Sequence, residues 1–247
     1  MNERSEERVQ WIYSSQNNSE LSERYDEWAK DYDKDLSEVF GWIAPKTASD
    51  YLAKYVSPDS NVLDAGAGTG LVGLALGEHG FQNLTAMDLS EGMLKEARNK
   101  NVYKSFDQMT LGEHLDYETN SFDAVITVGV MTLGHAGPES FDELIRITKP
   151  QGYIVFTIRT DVYLENGFKE KQAEIEAYSA LSADSRQPVE LDQVAVGRLS
   201  RMDAMQQQAM AEAAEVSGPR SGCPAIRRSE VPSAPRSRNT SIARSRI

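Results

Sequence analysis

An apolar run that stops on three alternating glycines sets the tightest limit on what this chain can fold into. In Val62-Leu63-Asp64-Ala65-Gly66-Ala67-Gly68-Thr69-Gly70 the apolar start predicts a short strand ending at Asp64, and Leu71 to Gly77 then suits a helix. Glycine allows a sharp turn and lets backbone approach a ligand with no Cβ in the way. A strand, a glycine turn and a helix N-terminus in that order therefore cradle an anionic or dipolar group. The spacing narrows the choice. Position 71 is Leu, so the pattern is Gly-x-Gly-x-Gly and departs from the dinucleotide fingerprint, and no Gly-Lys-Ser/Thr follows to make a phosphate-binding loop.

A second feature gives the loop a partner. Leu84-Thr85-Ala86-Met87-Asp88 reads as another short strand, and Asp88 stands at its carboxyl end, where a carboxylate can accept both hydroxyls of a ribose in the crevice of an open sheet. Leu89 and Met93 just beyond offer apolar surface for an adenine ring, and they equally suit ordinary helix packing. Ser90 is a candidate N-cap for a helix through Asn99.

The rest of the first 182 residues alternates in the same way. Phe122 to Gly129 is β-branched and almost wholly apolar, as a central parallel strand should be, and residues 102–111 are a weaker strand candidate. Phe141, Leu144, Ile145 and Thr148 mark the inner face of a helix. The turn Lys149-Pro150-Gln151-Gly152 follows, and Tyr153 to Arg159 is a further strand. Ahead of the glycine loop, Leu21, Tyr25, Trp28, Tyr32 and Leu36 recur at helical spacing. Ala48, Tyr51, Leu52, Tyr55 and Val56 do so again between Pro45 and Pro58. Five β/α repeats imply an α/β fold with a doubly wound, mostly parallel sheet.

Taken together, VLDAGAGTG, the acid in AMDLS, FDAVITVG and the TKPQG turn before YIVFTIRT resemble the motifs of the class I S-adenosylmethionine-dependent methyltransferases. The resemblance covers roughly residues 20 to 182. It implies a Rossmann-like fold, S-adenosyl-L-methionine as cofactor and methyl transfer to an acceptor, a small molecule or a protein side chain. Residue by residue, it places Asp64, Gly66, Ala67, Gly68 and Gly70 around the methionine end of the cofactor. It assigns Asp88 to the ribose, Leu89 and Met93 to the adenine, and Gly129 with Val130 to the wall beneath the sulfonium. An N-terminal segment commonly folds over the cofactor in this superfamily, so Tyr25, Trp28 and Tyr32 are expected to form an aromatic lid, whose rings also suit a sulfonium. Ordinary packing is the competing reading for the same stripe.

On the acceptor side two residues are catalytic candidates. His135, in the loop after FDAVITVG, is a histidine in reach of that side and titrates near neutrality when unperturbed. Arg159, closing YIVFTIR at a strand's carboxyl end, can meet a substrate carboxylate or pair with a neighbouring acid. The family often places an acid near the end of the third strand for the adenine amino group; here that place falls at Thr110 and Leu111, with Asp107 a few residues early.

Composition bears on the two ends and on partners. The chain has 247 residues and a net charge of −12, yet residues 216 to 247 hold seven Arg and one Glu. The body is therefore strongly acidic, which argues against nucleic acid as a partner. No apolar run approaches the about 20 residues of a spanning helix, and the single Cys223 offers neither an internal disulfide nor a zinc cluster. A cytoplasmic location is expected, with the nucleus left open, no membrane, no metal, and a monomer or weak dimer. Residues 1–19 are expected to be flexible, 20–182 to form the methyltransferase domain with its lid helices, and 183–247 to be an atypical, largely disordered basic tail. The composition shift near Ser185 further implies that the sixth and seventh strands usual in the superfamily are missing or replaced. That leaves a non-catalytic cofactor-binding protein, or an inactive isoform, as the alternative function.

Overall fold

In the computed structural model, residues 3–132, 134–181, 190–196 and 240–246 are described. Seven strands form one sheet in the order β3-β2-β1-β4-β5-β7-β6. They are β1 (Asn61–Ala65), β2 (Asn83–Asp88), β3 (Ser105–Gln108), β4 (Phe122–Met131), β5 (Thr148–Arg159), β6 (Glu190–Val196) and β7 (Thr240–Arg246). The first five pair in parallel, and β7 runs antiparallel between β5 and β6, with Ile158 opposite Ser241 and Val155 opposite Arg244.

Two apolar cores on opposite faces follow from the period of two along each strand. Val62, Leu84, Ala86, Ala124 and Ile126 face α3 (Ala44–Leu52), α4 (Leu71–Glu78) and α5 (Glu91–Asn99), where Ala48, Leu52, Leu76, Leu94 and Ala97 meet them. Leu63, Ala65, Met87, Val125, Ile154 and Phe156 line the other face. They pack against Phe141, Leu144 and Ile147 of α6 (Ser140–Ile147), Val162 of α7 (Thr160–Glu165) and Phe168 at the start of α8 (Phe168–Leu181). The doubly wound parallel sheet read from the alternation is therefore present. Ser90 caps α5 as expected, its Oγ accepting from the Met93 N–H at 3.0 Å.

The two ends differ from expectation. The segment read as flexible contains a helix, α1 (Glu3–Tyr13), whose Val9 and Ile12 are buried against Leu21, Trp28 and Leu36 of the following helical stretch. That stretch is α2 (Asn18–Lys34), capped by Asn17, which accepts from the Glu20 N–H, and extended by a π-helical turn at Asp35–Phe40. The apolar residues of α1, Val9, Trp11, Ile12 and Tyr13, crowd into its last five positions, so no face repeats along its length. At the other end, where the sixth and seventh strands were expected to be missing or replaced, β7 and β6 extend the sheet and β7 covers the edge of β5. An outer antiparallel pair needs no continuous apolar run, and TSIARSR has only Ile and Ala among polar and basic residues, which hid it. The remaining parts of the expected tail lie outside the described residues.

Candidate active site at the carboxyl edge of the sheet

Where β1 and β2 end, the chain builds a turn from backbone hydrogen bonds. The Gly66 and Ala67 N–H groups both donate to the Met87 carbonyl, at 2.7 and 2.9 Å, so the glycine loop is hung on the end of β2. Gly68 has φ of +53°, and a Cβ built there would meet nothing within 4 Å, so the loop presents bare backbone to open space. Beside it Asp88 is 6% exposed, and both of its oxygens are oriented by backbone: Gly68 N–H donates to Oδ2 at 2.8 Å and Ser90 N–H to Oδ1 at 2.9 Å. Burial is the main cause that pushes this carboxyl up to about 6, against the lowering effect of those N–H donors.

Above them lies a partly open cleft. Asp88, Leu89 and Met93 line one side, and Gly66 with Gly68 the floor. Gly129 and Val130, at the end of β4, form the far wall with Val128 and His135. Tyr25 and Tyr32 come from α2 and close the top. Ten of the residues singled out by sequence therefore meet in one place.

Five others do not line it. Asp64 is fully buried beneath the loop, where its Oδ2 accepts from the Tyr103 hydroxyl at 2.5 Å while Oδ1 has no partner. Desolvation pushes that carboxyl up to about 7. Tyr103 also accepts from the Gly73 N–H at 3.0 Å, and its ring fills the space that a Cβ on Gly70 or Gly73 would need. Gly70 thus serves packing against Tyr103, and Ala67 lies in the apolar core. Trp28 turns toward α1 and donates its Nε1–H to buried Asp35 at 2.8 Å. Arg159 is 6% exposed and forms an ion pair with Asp161, the second of its two readings. Asp107, the acid a few residues early, accepts from the Tyr117 hydroxyl at 2.9 Å and stands outside the cleft.

Several contributors were invisible in the sequence. Asp26 of α2 accepts at Oδ1 from Ser90 Oγ at 2.5 Å and from the Gly92 N–H at 2.7 Å. Asp33 accepts from the Thr69 hydroxyl in the loop and pairs with Lys100 at 2.6 Å. Ser22 donates to the Leu89 carbonyl at 3.0 Å. These three side chains pin α2 across the cleft. Tyr13 of α1 joins from outside, its ring centroid 5.1 Å from that of His135. The one available signal was the acidic stripe on an otherwise aromatic helix.

Residues 63–156 match the family model described as a methyltransferase domain. Over that stretch the chain is similar to a methyltransferase domain. Human Methyltransferase-like protein 27 is 38% identical to it over 141 residues, which are 56% of this chain and 57% of that protein. An uncharacterized methyltransferase of Schizosaccharomyces pombe is 31% identical over 140 residues, 51% of this chain and 50% of that one. The chain thus spans about half the length of these relatives. Among solved structures, the Haloferax volcanii complex between the Trm112 methyltransferase activator and a methyltransferase superposes with a TM-score of 0.53 at 20% identity, covering 90% of this chain and 96% of that one. An S-adenosyl-L-methionine-dependent methyltransferase fold from Methanococcus maripaludis gives 0.50 at 18% identity, covering 71% and 90%. At those identities the likeness establishes the fold alone.

The cofactor this family implies is S-adenosyl-L-methionine, and the residues present fit it. A buried carboxylate held by two N–H groups matches a ribose diol, bare backbone at Gly68 leaves room for close approach, and Leu89 with Met93 supply the apolar flank of a purine site. Among the described residues no group of three or more His, Cys, Asp or Glu is placed to hold a metal, and no helix is long and apolar enough to cross a membrane.

Proposed function

We propose that this chain binds S-adenosyl-L-methionine in the cleft between the glycine loop, Asp88 and α2, and transfers its methyl group to a small-molecule or protein acceptor. The observation that carries this reading is Asp88, buried and aimed by the Gly68 and Ser90 N–H groups beside an open backbone cradle. In this reading Asp88 accepts from the ribose hydroxyls, and Leu89 and Met93 flank the adenine. The backbone from Gly66 to Gly68 receives the methionine end, and Gly129 with Val130 backs the sulfonium. Tyr25 and Tyr32 close the top with aromatic faces, whose negative quadrupole favours a cation.

The cofactor supplies a methyl group already activated on positive sulfur. What remains for the protein is to align an acceptor and exclude water, and α2, pinned by Asp26, Asp33 and Ser22, is placed to do the second. The alternative of a binding protein without turnover, or an inactive isoform, rested on missing or replaced sixth and seventh strands; β6 and β7 in the sheet speak against their being missing.

Calorimetry with S-adenosylhomocysteine tests the reading. The unmodified chain should bind it, and Asp88→Ala should weaken binding by about 10-fold or more, as expected for losing charge-assisted hydrogen bonds worth about 1.5–3 kcal/mol each. Equal affinity in the two proteins, with the variant's melting transition intact, would remove the ribose assignment and the function built on it.

A further inference from the structure

We infer that Asp26 of α2 is a positioning residue for the cofactor cleft: it grips the first turn of α5 and so sets the segment 88–93, which carries Asp88, Leu89 and Met93. The inference rests on the cofactor reading above and deepens it, because the docking of α2 then takes part in holding the ribose and adenine as well as in covering them.

The hydrogen bonds of that segment form one connected set. Ser90 Oγ accepts from the Met93 N–H at 3.0 Å, which leaves its hydroxyl hydrogen for Asp26 Oδ1 at 2.5 Å. The Ser90 N–H in turn donates to Asp88 Oδ1 at 2.9 Å. Asp26 is therefore one residue removed from both the ribose acid and the adenine flank, with Ser90 as the link. The same Oδ1 accepts from the Gly92 N–H at 2.7 Å. That N–H belongs to the first turn of α5, where no carbonyl of the helix itself can reach it. One turn earlier on α2, Ser22 donates to the Leu89 carbonyl at 3.0 Å, so α2 holds the segment at Leu89, Ser90 and Gly92.

Gly92 carries a second, steric sign of the same fit. A Cβ built on it would stand 2.7 Å from Asp26 Cα and 2.8 Å from Asp26 Oδ1, so the two helices approach there more closely than any other residue permits. Alanine is the better helix former. Glycine at this position thus serves the contact with α2 at the expense of α5.

Coupling of this kind runs both ways. If docked α2 tightens the binding of the nucleoside half by some factor, the nucleoside tightens the docking of α2 by the same factor. Adenosine, which has the ribose and adenine without the amino-acid end, isolates that half.

The test uses the full chain and the variants Asp26→Ala, Asp26→Asn and Gly92→Ala. Asp35→Ala is the control: it loosens α1 against the turn after α2, and its partners Trp28 and Arg8 lie outside residues 88–93. Adenosine is titrated by NMR and S-adenosylhomocysteine by calorimetry, on proteins with intact melting transitions. Asp26→Ala and Gly92→Ala should each weaken adenosine about fivefold or more, and S-adenosylhomocysteine by a factor within about twofold of that, since the loss lies in the half that the two ligands share. Asp26→Asn, whose Oδ1 still accepts from both donors, should recover to within about threefold of the unmodified chain. Saturating adenosine should slow amide exchange along α2 in the unmodified chain and much less so in Gly92→Ala.

Adenosine affinity unchanged in Asp26→Ala or Gly92→Ala while S-adenosylhomocysteine weakens would show that α2 only covers the site, and would overturn the inference. So would Asp26→Asn binding as weakly as Asp26→Ala, or an equal loss of adenosine in Asp35→Ala. Failure of the unmodified chain to bind either ligand would instead strike the cofactor reading beneath it.

Discussion

Asp88 and Asp64 end adjacent parallel strands, and burial makes ionisation costly for both, yet they do different work. Asp64 braces the loop from below through Tyr103, whereas Asp88 faces the cleft. In the ligand-free protein the Asp88 carboxyl is pushed up to about 6, and a ribose diol donates to the ionised form. Binding therefore releases a proton at low pH. Affinity for S-adenosylhomocysteine should rise by up to about tenfold per pH unit below that value and level off above it. Calorimetry across about pH 5 to 8 measures this, and Asp88→Asn should flatten the rise. Asp88, Leu89, Met93, Gly66 and Gly68 were legible because each sits within a few residues of a strand end, where local spacing alone fixes position. Trp28 follows the packing reading for a geometric reason. On a helix, positions 25 and 32 differ by about 20° around the axis, while position 28 lies about 60° away, enough to turn its ring from the cleft to α1. Arg159 stood between two readings that only its neighbour Asp161 could separate.

At the scale of elements, α1 and α2 act as one cover held by a buried acid. Asp35, 5% exposed, accepts from Trp28 Nε1 at 2.8 Å and from Arg8 at 3.1 Å, so a single carboxylate ties α1 to the turn after α2. Asp35→Ala leaves a buried indole N–H without its acceptor and removes one anchor of Arg8. Destabilisation of about 1–3 kcal/mol is expected in denaturant unfolding, and a change below about 0.5 kcal/mol would show that the apolar contacts of Val9 and Ile12 suffice. The core strands were readable because β1, β4 and β5 are buried on both faces and carry continuous apolar runs. Contacts such as Asp26 with Gly92 and Tyr13 with His135 were not, since they depend on how a polar helix docks across the sheet, which no local period encodes.

For the molecule as a whole, the sheet order means that the parallel part is closed on one side by an antiparallel pair drawn from late in the chain. Every residue of β5 from Tyr153 to Arg159 has a partner in β7. A chain ending after Leu181 would expose that edge as an open row of N–H and carbonyl groups, so it should associate where the full chain does not. Light scattering with size-exclusion chromatography at matched concentration decides this; equal monodispersity of both would show that β5 needs no cover. The order of synthesis adds a constraint of its own. β6 is translated before β7, and among the described residues it pairs in the sheet with β7 alone. On the ribosome, where elongation proceeds at about 5–20 residues per second, a nascent chain must therefore wait several seconds with β5 bare and β6 solitary. That interval is when a chaperone would find it.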